Sequence, residues 1–213
     1  MAETLTEGLL PEPGGLPLHL RRSPLAGLAG ALADAEVAGH RGVAVREVPY
    51  LTMVSVRVDP RSAAAEAIGE VLGAPLPDRV GSTATAGEHT ALWLGPDEWL
   101  VVSRAPAGPL SARLSVALGY ARGDIVDVSA NRTTLELAGP SARAVLEKGC
   151  PVDLHPTAFP VGAAVTTTLA SVPLLLWRAG EATWRLLPRS SFADYVARWL
   201  LDGMAEYALP EVP

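Results

Sequence analysis

The sequence predicts an α+β protein of two similar β-α-β-β-β-α halves, a diverged duplication with mostly antiparallel sheets backed by helices. Three observations predict it. MVSVRVDP (53–60) and TTLELAGP (133–140) each alternate apolar and polar residues before running into a proline. An amphipathic helix follows each, and each helix stops at a Gly-x-Pro triplet, Gly73-Ala74-Pro75 in the first half and Gly149-Cys150-Pro151 in the second. Beyond each stop lies a hairpin-rich stretch carrying two tryptophans, Trp93 and Trp99 or Trp177 and Trp184, and then a second helix.

The elements follow in order. Residues 1–22 are acidic and rich in Pro and Gly, with no basic stretch ahead of an apolar run, so they read as an extended segment and not as a secretion signal. SPLAGLAGALADA (23–35) makes an amphipathic helix through Leu25, Leu28 and Leu32, and VAVREVPYL (43–51) a leading strand. In the next strand Val54, Val56 and Val58 share one face against Ser55 and Arg57, the period of a half-buried strand. Asp59 is placed to cap the following helix, with Pro60 at its first position. That helix carries Ala64, Ile68, Val71 and Leu72 as its stripe; Gly73 supplies a left-handed terminus and Pro75 forbids continuation. Residues 82–102 read as three short strands, followed by a helix through Leu110, Leu114, Ala117 and Leu118.

The second half repeats this plan. Thr133, Leu135 and Leu137 alternate with Thr134 and Glu136, Gly139-Pro140 opens a helix with Ala142, Val145 and Leu146, and Gly149 ends it. Residues 164–187 supply three more strands. The last helix carries Phe192, Tyr195, Val196, Trp199 and Leu200, behind a capping-box pattern of Ser191 and Asp194. The expected division is therefore an extended segment at 1–22, α+β halves at 23–122 and 123–205, and a C-terminal tail at 206–213. The two sheets are expected to pack through helices or join edges.

Composition removes several functions. The net charge is −6 and no basic stripe is present to neutralise phosphates, which argues against nucleic acid. No apolar run approaches the roughly 18 residues that a membrane span requires. Cys150 is the only cysteine, so no internal disulfide forms and the chain reads as cytoplasmic. Apolar residues make up 49% of 213, a surplus expected of a surface covered by partners.

Catalytic templates fail one by one. Asp97 and Glu98, in LGPDEWLVV (94–102), sit where a hairpin turns, and Gly95, Pro96 and Asp97 are turn residues. Adjacent turn residues point to different sides, so this pair is poorly placed to share a proton. No GxGxxG, P-loop or GxSxG spacing occurs, and His19, His40, His89 and His155 lack metal spacing. Cys150 lies in a helix-stop loop without a neighbouring His and reads as an inert thiol. No catalytic, cofactor-binding or metal residue is assigned. Arg132, at a strand entrance, suits an ion pair or a bound carboxylate. With Trp93, Trp99, Trp177 and Trp184 it forms the set of candidate partner-interface residues, core packing being the other use of the tryptophans.

VAVREVPYLTMVSVRV, ALWLGPDEWLVV, the long block from DIVDVSANRTTLELAGP to LLLWR and LLPRSSFADYVARWL, all in order between about residues 23 and 203, resemble the gamma subunit family of heterotetrameric sarcosine oxidase. More distantly, DVSANRTTLELAGPSARAVLEKGCPVDL is similar to a segment of the folate-binding aminomethyltransferases, the glycine-cleavage T-protein group. The first resemblance implies a non-catalytic subunit of a complex that oxidatively demethylates sarcosine. Glycine and hydrogen peroxide are formed, and the methyl group leaves as formaldehyde or as methylene-tetrahydrofolate. It implies alpha, beta and delta subunits as partners, with FAD, FMN and NAD in alpha and beta, zinc in delta, tetrahydrofolate elsewhere in the complex, and no cofactor on this chain. The second resemblance keeps a folate-binding or folate-dependent methyl-transfer module as the alternative.

Overall fold

The chain is seen here in a computed structural model that describes residues 20–209. The expected N-terminal segment lies outside the described residues except for its last three, as do the last four residues of the tail. A short helix α1 (Ala29–Asp34) and strand β1 (Ala44–Glu47) open the fold, followed by β2 (Thr52–Val58), α2 (Ala63–Leu72), β3 (Thr83–Ala86), β4 (His89–Gly95), β5 (Glu98–Ser103) and α3 (Ala107–Leu118). Then come β6 (Gly123–Asp127), β7 (Leu135–Ala138), α4 (Ala142–Glu147), β8 (Ala164–Leu169), β9 (Val172–Gly180), β10 (Thr183–Pro188) and α5 (Ala193–Met204).

The strands form two five-stranded sheets, ordered β3-β4-β5-β2-β6 and β8-β9-β10-β7-β1, with every pairing antiparallel. Each order is a three-stranded meander, then the strand that feeds a helix, then one more strand. The fifth strand is exchanged. β1 precedes β2 in the chain yet pairs with β7, while β6 precedes β7 yet pairs with β2. The strands that precede β2 and β7 in the chain thus each pair in the opposite sheet, with crossings at residues 48–51 and 128–134. The leading strand expected at 43–51 is shortened by this: β1 ends at Glu47, and the chain turns through Tyr50 at φ 62 before β2 begins.

Burial sorts the core side chains into three clusters. Val54, Val56, Trp99 and Val101 pack outward against Ile68, Leu72, Leu110 and Leu114 of α2 and α3. Leu135, Leu137, Leu174 and Trp184 pack outward against Val145, Leu146, Val196 and Leu200 of α4 and α5. Between the sheets lies a third cluster, with Met53, Leu92, Leu100 and Val102 facing Leu175, Trp177 and Leu187. The sheets thus pack face to face with the helices outside, which corrects the expectation of packing through helices or edges. Strands buried on both faces place apolar residues at odd and even positions alike, as the strand WLVV (99–102) does. At one corner the sheets are also stitched by backbone: Ala164 donates to the Gly81 carbonyl at 2.9 Å, and the Thr83 hydroxyl to the Gly162 carbonyl at 2.7 Å.

Local signals meet mixed outcomes. Asp59 does not cap α2. Its carboxylate accepts from the Arg61 amide in a preceding turn, and Ser62 is the cap, its hydroxyl accepting from the Ala65 amide at 3.2 Å. Gly73 adopts the left-handed conformation as expected, at φ 83. Gly149 does not, because α4 runs into Lys148 in right-handed geometry. A β-carbon at Gly149 would instead collide with the Trp199 indole, so close approach selects that glycine. The capping box at Ser191 is likewise absent. A 3-10 turn, Ser190–Phe192, leads into α5 with no side-chain cap, and Asp194 pairs with Arg198 one turn on. The described residues of the expected tail take part in a 3-10 turn at Ala205–Ala208 that lays the Tyr207 ring beneath Lys148 and Arg41.

Candidate functional site

The hairpin tip between β4 and β5 carries Asp97 and Glu98, and the surrounding geometry is that of a turn. Asp97 is exposed and its carbonyl accepts from the Val58 amide at 3.2 Å. Glu98 is directed to Arg57 on β2, at 2.9 Å, in the register that sets Arg57 opposite Glu98. That ion pair raises the Arg57 guanidinium above its ordinary value, chiefly through the hydrogen bond it donates to Glu98. Glu98 is thus engaged by a guanidinium, while Asp97 is tied into the turn through its backbone carbonyl and not through its carboxylate.

The tryptophans are used for packing. Trp99 and Trp184 are fully buried on the helix-facing sides of their sheets and occupy equivalent places: Trp99 lies opposite Val56 on β2, and Trp184 opposite Leu137 on β7. Trp99 donates its indole N–H to the Pro77 carbonyl at 2.8 Å, and Trp184 packs on Phe159 with ring centroids 5.5 Å apart. The other two tryptophans do not correspond. Trp93 lies opposite Trp99 on the helix side, whereas Trp177 lies opposite Arg185 and faces the other sheet. The place of Trp93 in the second sheet is taken by Arg178, buried and held by the carbonyls of Phe159 and Glu181 at 2.9 Å each.

Across the inner face of the second sheet runs a charged row. Register aligns Arg46 of β1, Glu136 of β7 and Arg185 of β10, and both guanidiniums donate to the Glu136 carboxylate. Arg185 also lies over the Trp177 ring, 4.8 Å from its centroid. Burial pushes the Glu136 carboxyl up, but the hydrogen bonds from Arg46 and Arg185 outweigh it, and it is held below its ordinary value.

Arg132 lines a concave pocket of about 330 Å³ at the strand exchange, between the two crossings. Arg21, Arg22 and Tyr50 sit at its mouth, and Ser129, Thr133, Thr134 and Ser190 lie within its wall. Arg132 donates to the Leu187 carbonyl at 2.8 Å and meets no carboxylate among the described residues. Burial, followed by repulsion from Arg189, pushes its guanidinium below its ordinary value. Of the candidate interface residues, Arg132 alone lines this pocket. Tyr50, Arg21 and Thr134 were not singled out by sequence, since nothing local to them announces that two distant crossings converge.

Cys150 is buried in the core around α4 and α5, and His89 bonds to the Ser103 hydroxyl at 2.8 Å. Among the described residues no group of three or more His, Cys, Asp or Glu could hold a metal ion, and no helix is long and apolar enough to cross a membrane.

A chain of this shape, two face-to-face sheets with exchanged leading strands and helices outside, defines a class before any name. Its fold matches the glycine cleavage system aminomethyltransferase T from Bartonella henselae at TM-score 0.62 over 84% of this chain and 56% of that one, with 15% identity, a likeness of fold alone. The sequence profile of the sarcosine oxidase gamma subunit family matches residues 56–206, and the chain belongs to that family. It is 50% identical over 194 residues to sarcosine oxidase subunit gamma of Arthrobacter sp, covering 91% of this chain and 94% of the relative. It is also 50% identical over 191 residues to the subunit of the same description from Corynebacterium sp. (strain P-1), covering 89% and 92%. A chain in the heterotetrameric sarcosine oxidase from Corynebacterium sp. U-96, solved in complex with pyrrole 2-carboxylate, superimposes at TM-score 0.87 with 46% identity over 91% of this chain and all of that one.

Proposed function

We propose that the chain is a non-catalytic structural subunit of a heterotetrameric sarcosine oxidase, which converts sarcosine to glycine with hydrogen peroxide and formaldehyde or methylene-tetrahydrofolate. The observation that carries this reading is the 50% identity to a sarcosine oxidase gamma subunit along 91% of the chain. The geometry is in keeping with it, since the turn carboxylates, the charged row and the tryptophans all serve the fold. In this reading FAD, FMN, NAD, zinc and tetrahydrofolate are held by the alpha, beta and delta subunits. The same reading treats the protein as a duplication, with halves at 23–122 and 123–205 that have exchanged leading strands; the matching strand orders and the equivalence of Trp99 and Trp184 support it. The folate-module alternative rests on likeness of fold alone.

Co-expression with alpha, beta and delta subunits tests the proposal. The chain is expected to purify as a one-to-one member of an active complex, and alone to be inactive on sarcosine and prone to self-association. Deleting residues 1–22 is expected to weaken capture by the beta subunit more than it lowers the melting temperature. A stable monomer that ignored the flavoprotein subunits would overturn the reading.

A further inference from the structure

Among the described residues, the lining of the pocket at the strand exchange carries guanidiniums and no carboxylate. The guanidiniums are those of Arg21, Arg22 and Arg132, in a chain with 23 acidic residues against 17 basic ones. The carboxylates beside the pocket accept from hydroxyls of its lining and form no ion pair with Arg132. Glu47 accepts from the Ser23 and Thr133 hydroxyls, and Asp127 from Ser129. Arg132 commits one N–H group to the Leu187 carbonyl, which leaves most of its five donors unused. Partial burial of a guanidinium beside a second one, Arg189, raises the cost of keeping it charged, and a proton-stable group such as arginine answers that cost with an anion.

A second, independent observation lies in the same wall. Thr134 is 1% exposed, and its hydroxyl has no hydrogen-bond partner among the described residues. Thr134 lies immediately before β7, at the strand exchange, and lines the same pocket as Arg132. A buried hydroxyl left unpaired is uncommon and costly, and a ligand oxygen would satisfy it. The volume of about 330 Å³ sits at the small end of the range for ligand pockets and admits a small organic acid.

We propose that this pocket binds a carboxylate, with the Arg132 guanidinium as counter-ion and the Thr134 hydroxyl as a further partner. Arg21 and Arg22 at the mouth favour a second negative group on the same ligand. The carboxylate has two possible sources, a free small acid or an acidic side chain of a neighbouring subunit, and one set of complexes separates them.

The probe is radiolabelled glutarate, titrated by equilibrium dialysis against the assembled complex carrying the wild-type chain, Arg132→Gln, Arg132→Lys or Thr134→Val. A free-ligand site gives saturable binding in the wild type. Arg132→Gln weakens it tenfold or more, Arg132→Lys less because charge is kept while the two-pronged geometry is lost, and Thr134→Val severalfold. A neighbour's carboxylate instead gives no glutarate binding. In that case Arg132→Gln, and to a lesser degree Thr134→Val, release the chain from the complex at lower salt with unchanged melting of the isolated chain. Equal glutarate binding in all variants, or no binding together with unchanged salt sensitivity, overturns the proposal. So does a loss in Arg132→Gln that follows from a lowered melting temperature while Thr134→Val leaves every readout unchanged. A chain that fails to assemble at all counts against the assembly reading alone, and the glutarate titration is then made on the full chain.

Discussion

The central strands β2 and β7 hold the same place in their sheets but treat their two faces differently. On the helix side they agree, with Val54 and Val56 in one sheet and Leu135 and Leu137 in the other, Val56 lying opposite the buried Trp99 and Leu137 opposite the buried Trp184. On the inner side they part, since Ser55 of β2 falls where β7 has Glu136, the acceptor between two arginines. Outward faces must close over helices, and apolar pairs at fixed spacing do that in any such sheet. Inner faces share one sheet-to-sheet interface, so only their sum is constrained, and the two strands are free to differ.

The largest effect expected from this comparison lies on the shared face. Trp99→Ala and Trp184→Ala should each cost about 3–5 kcal/mol of unfolding free energy, as truncation of a fully buried aromatic does. Trp93→Ala, at a half-buried position, should cost clearly less, measured by urea unfolding of the same purified protein. A Trp93 value equal to that of Trp99 would break the claim that only Trp99 and Trp184 are equivalent.

The inner faces supply a smaller contrast. Glu136→Gln should destabilise by about 2–3 kcal/mol, because two guanidiniums lose their shared carboxylate, whereas Ser55→Ala should cost less than about 1 kcal/mol. The loss should also depend on pH. Glu136 is held below its ordinary value in the folded chain, so the unfolded chain takes up the proton first as pH falls. Its contribution is complete above the unfolded carboxyl value near 4 and is lost as pH drops through the folded value. The wild-type and Glu136→Gln stability curves should therefore lie apart at neutral pH and converge in acid. A gap that persisted to low pH would assign the loss to packing and not to charge.

What sequence could tell followed the same division between outward and inward faces. The helix-side stripes were legible because burial against a helix imposes period on valines and leucines at fixed spacing, as in β2, α2, α3 and α5. The inner layer was not, since Met53, Leu92 and Trp177 sit at alternate positions that a half-buried strand would give to polar residues. β6 went unread because it is mostly exposed at a sheet edge and carries two aspartates, and no local pattern states which sheet an edge strand will join. The Gly-x-Pro stops were found, but one signal served two causes, left-handed backbone at Gly73 and close approach of Trp199 at Gly149. Arg132 was legible as a candidate anion partner, whereas its pocket depends on residues about 80 positions away in sequence meeting at the crossings.

The smallest expected effect concerns the hairpin tip, whose counterpart in the second sheet is the β9–β10 turn at Glu181 and Ala182. That turn carries a single carboxylate, which reaches Arg178 at 3.1 Å, much as Glu98 reaches Arg57 at 2.9 Å. Both tips thus use an acid to hold an arginine, and neither brings two carboxylates to one proton. Exposed pairs of this kind are worth about 0–1 kcal/mol, so replacing Asp97 and Glu98 by Asn and Gln should move stability by no more than that. Turnover of sarcosine by the assembled complex should stay within a few-fold, because a turn touches no reacting atom. General acid or base groups contribute about a hundredfold or more in rate. A loss of that size in the double variant, with assembly and flavin content intact, would separate the two tips in function and make the first one part of a reaction site.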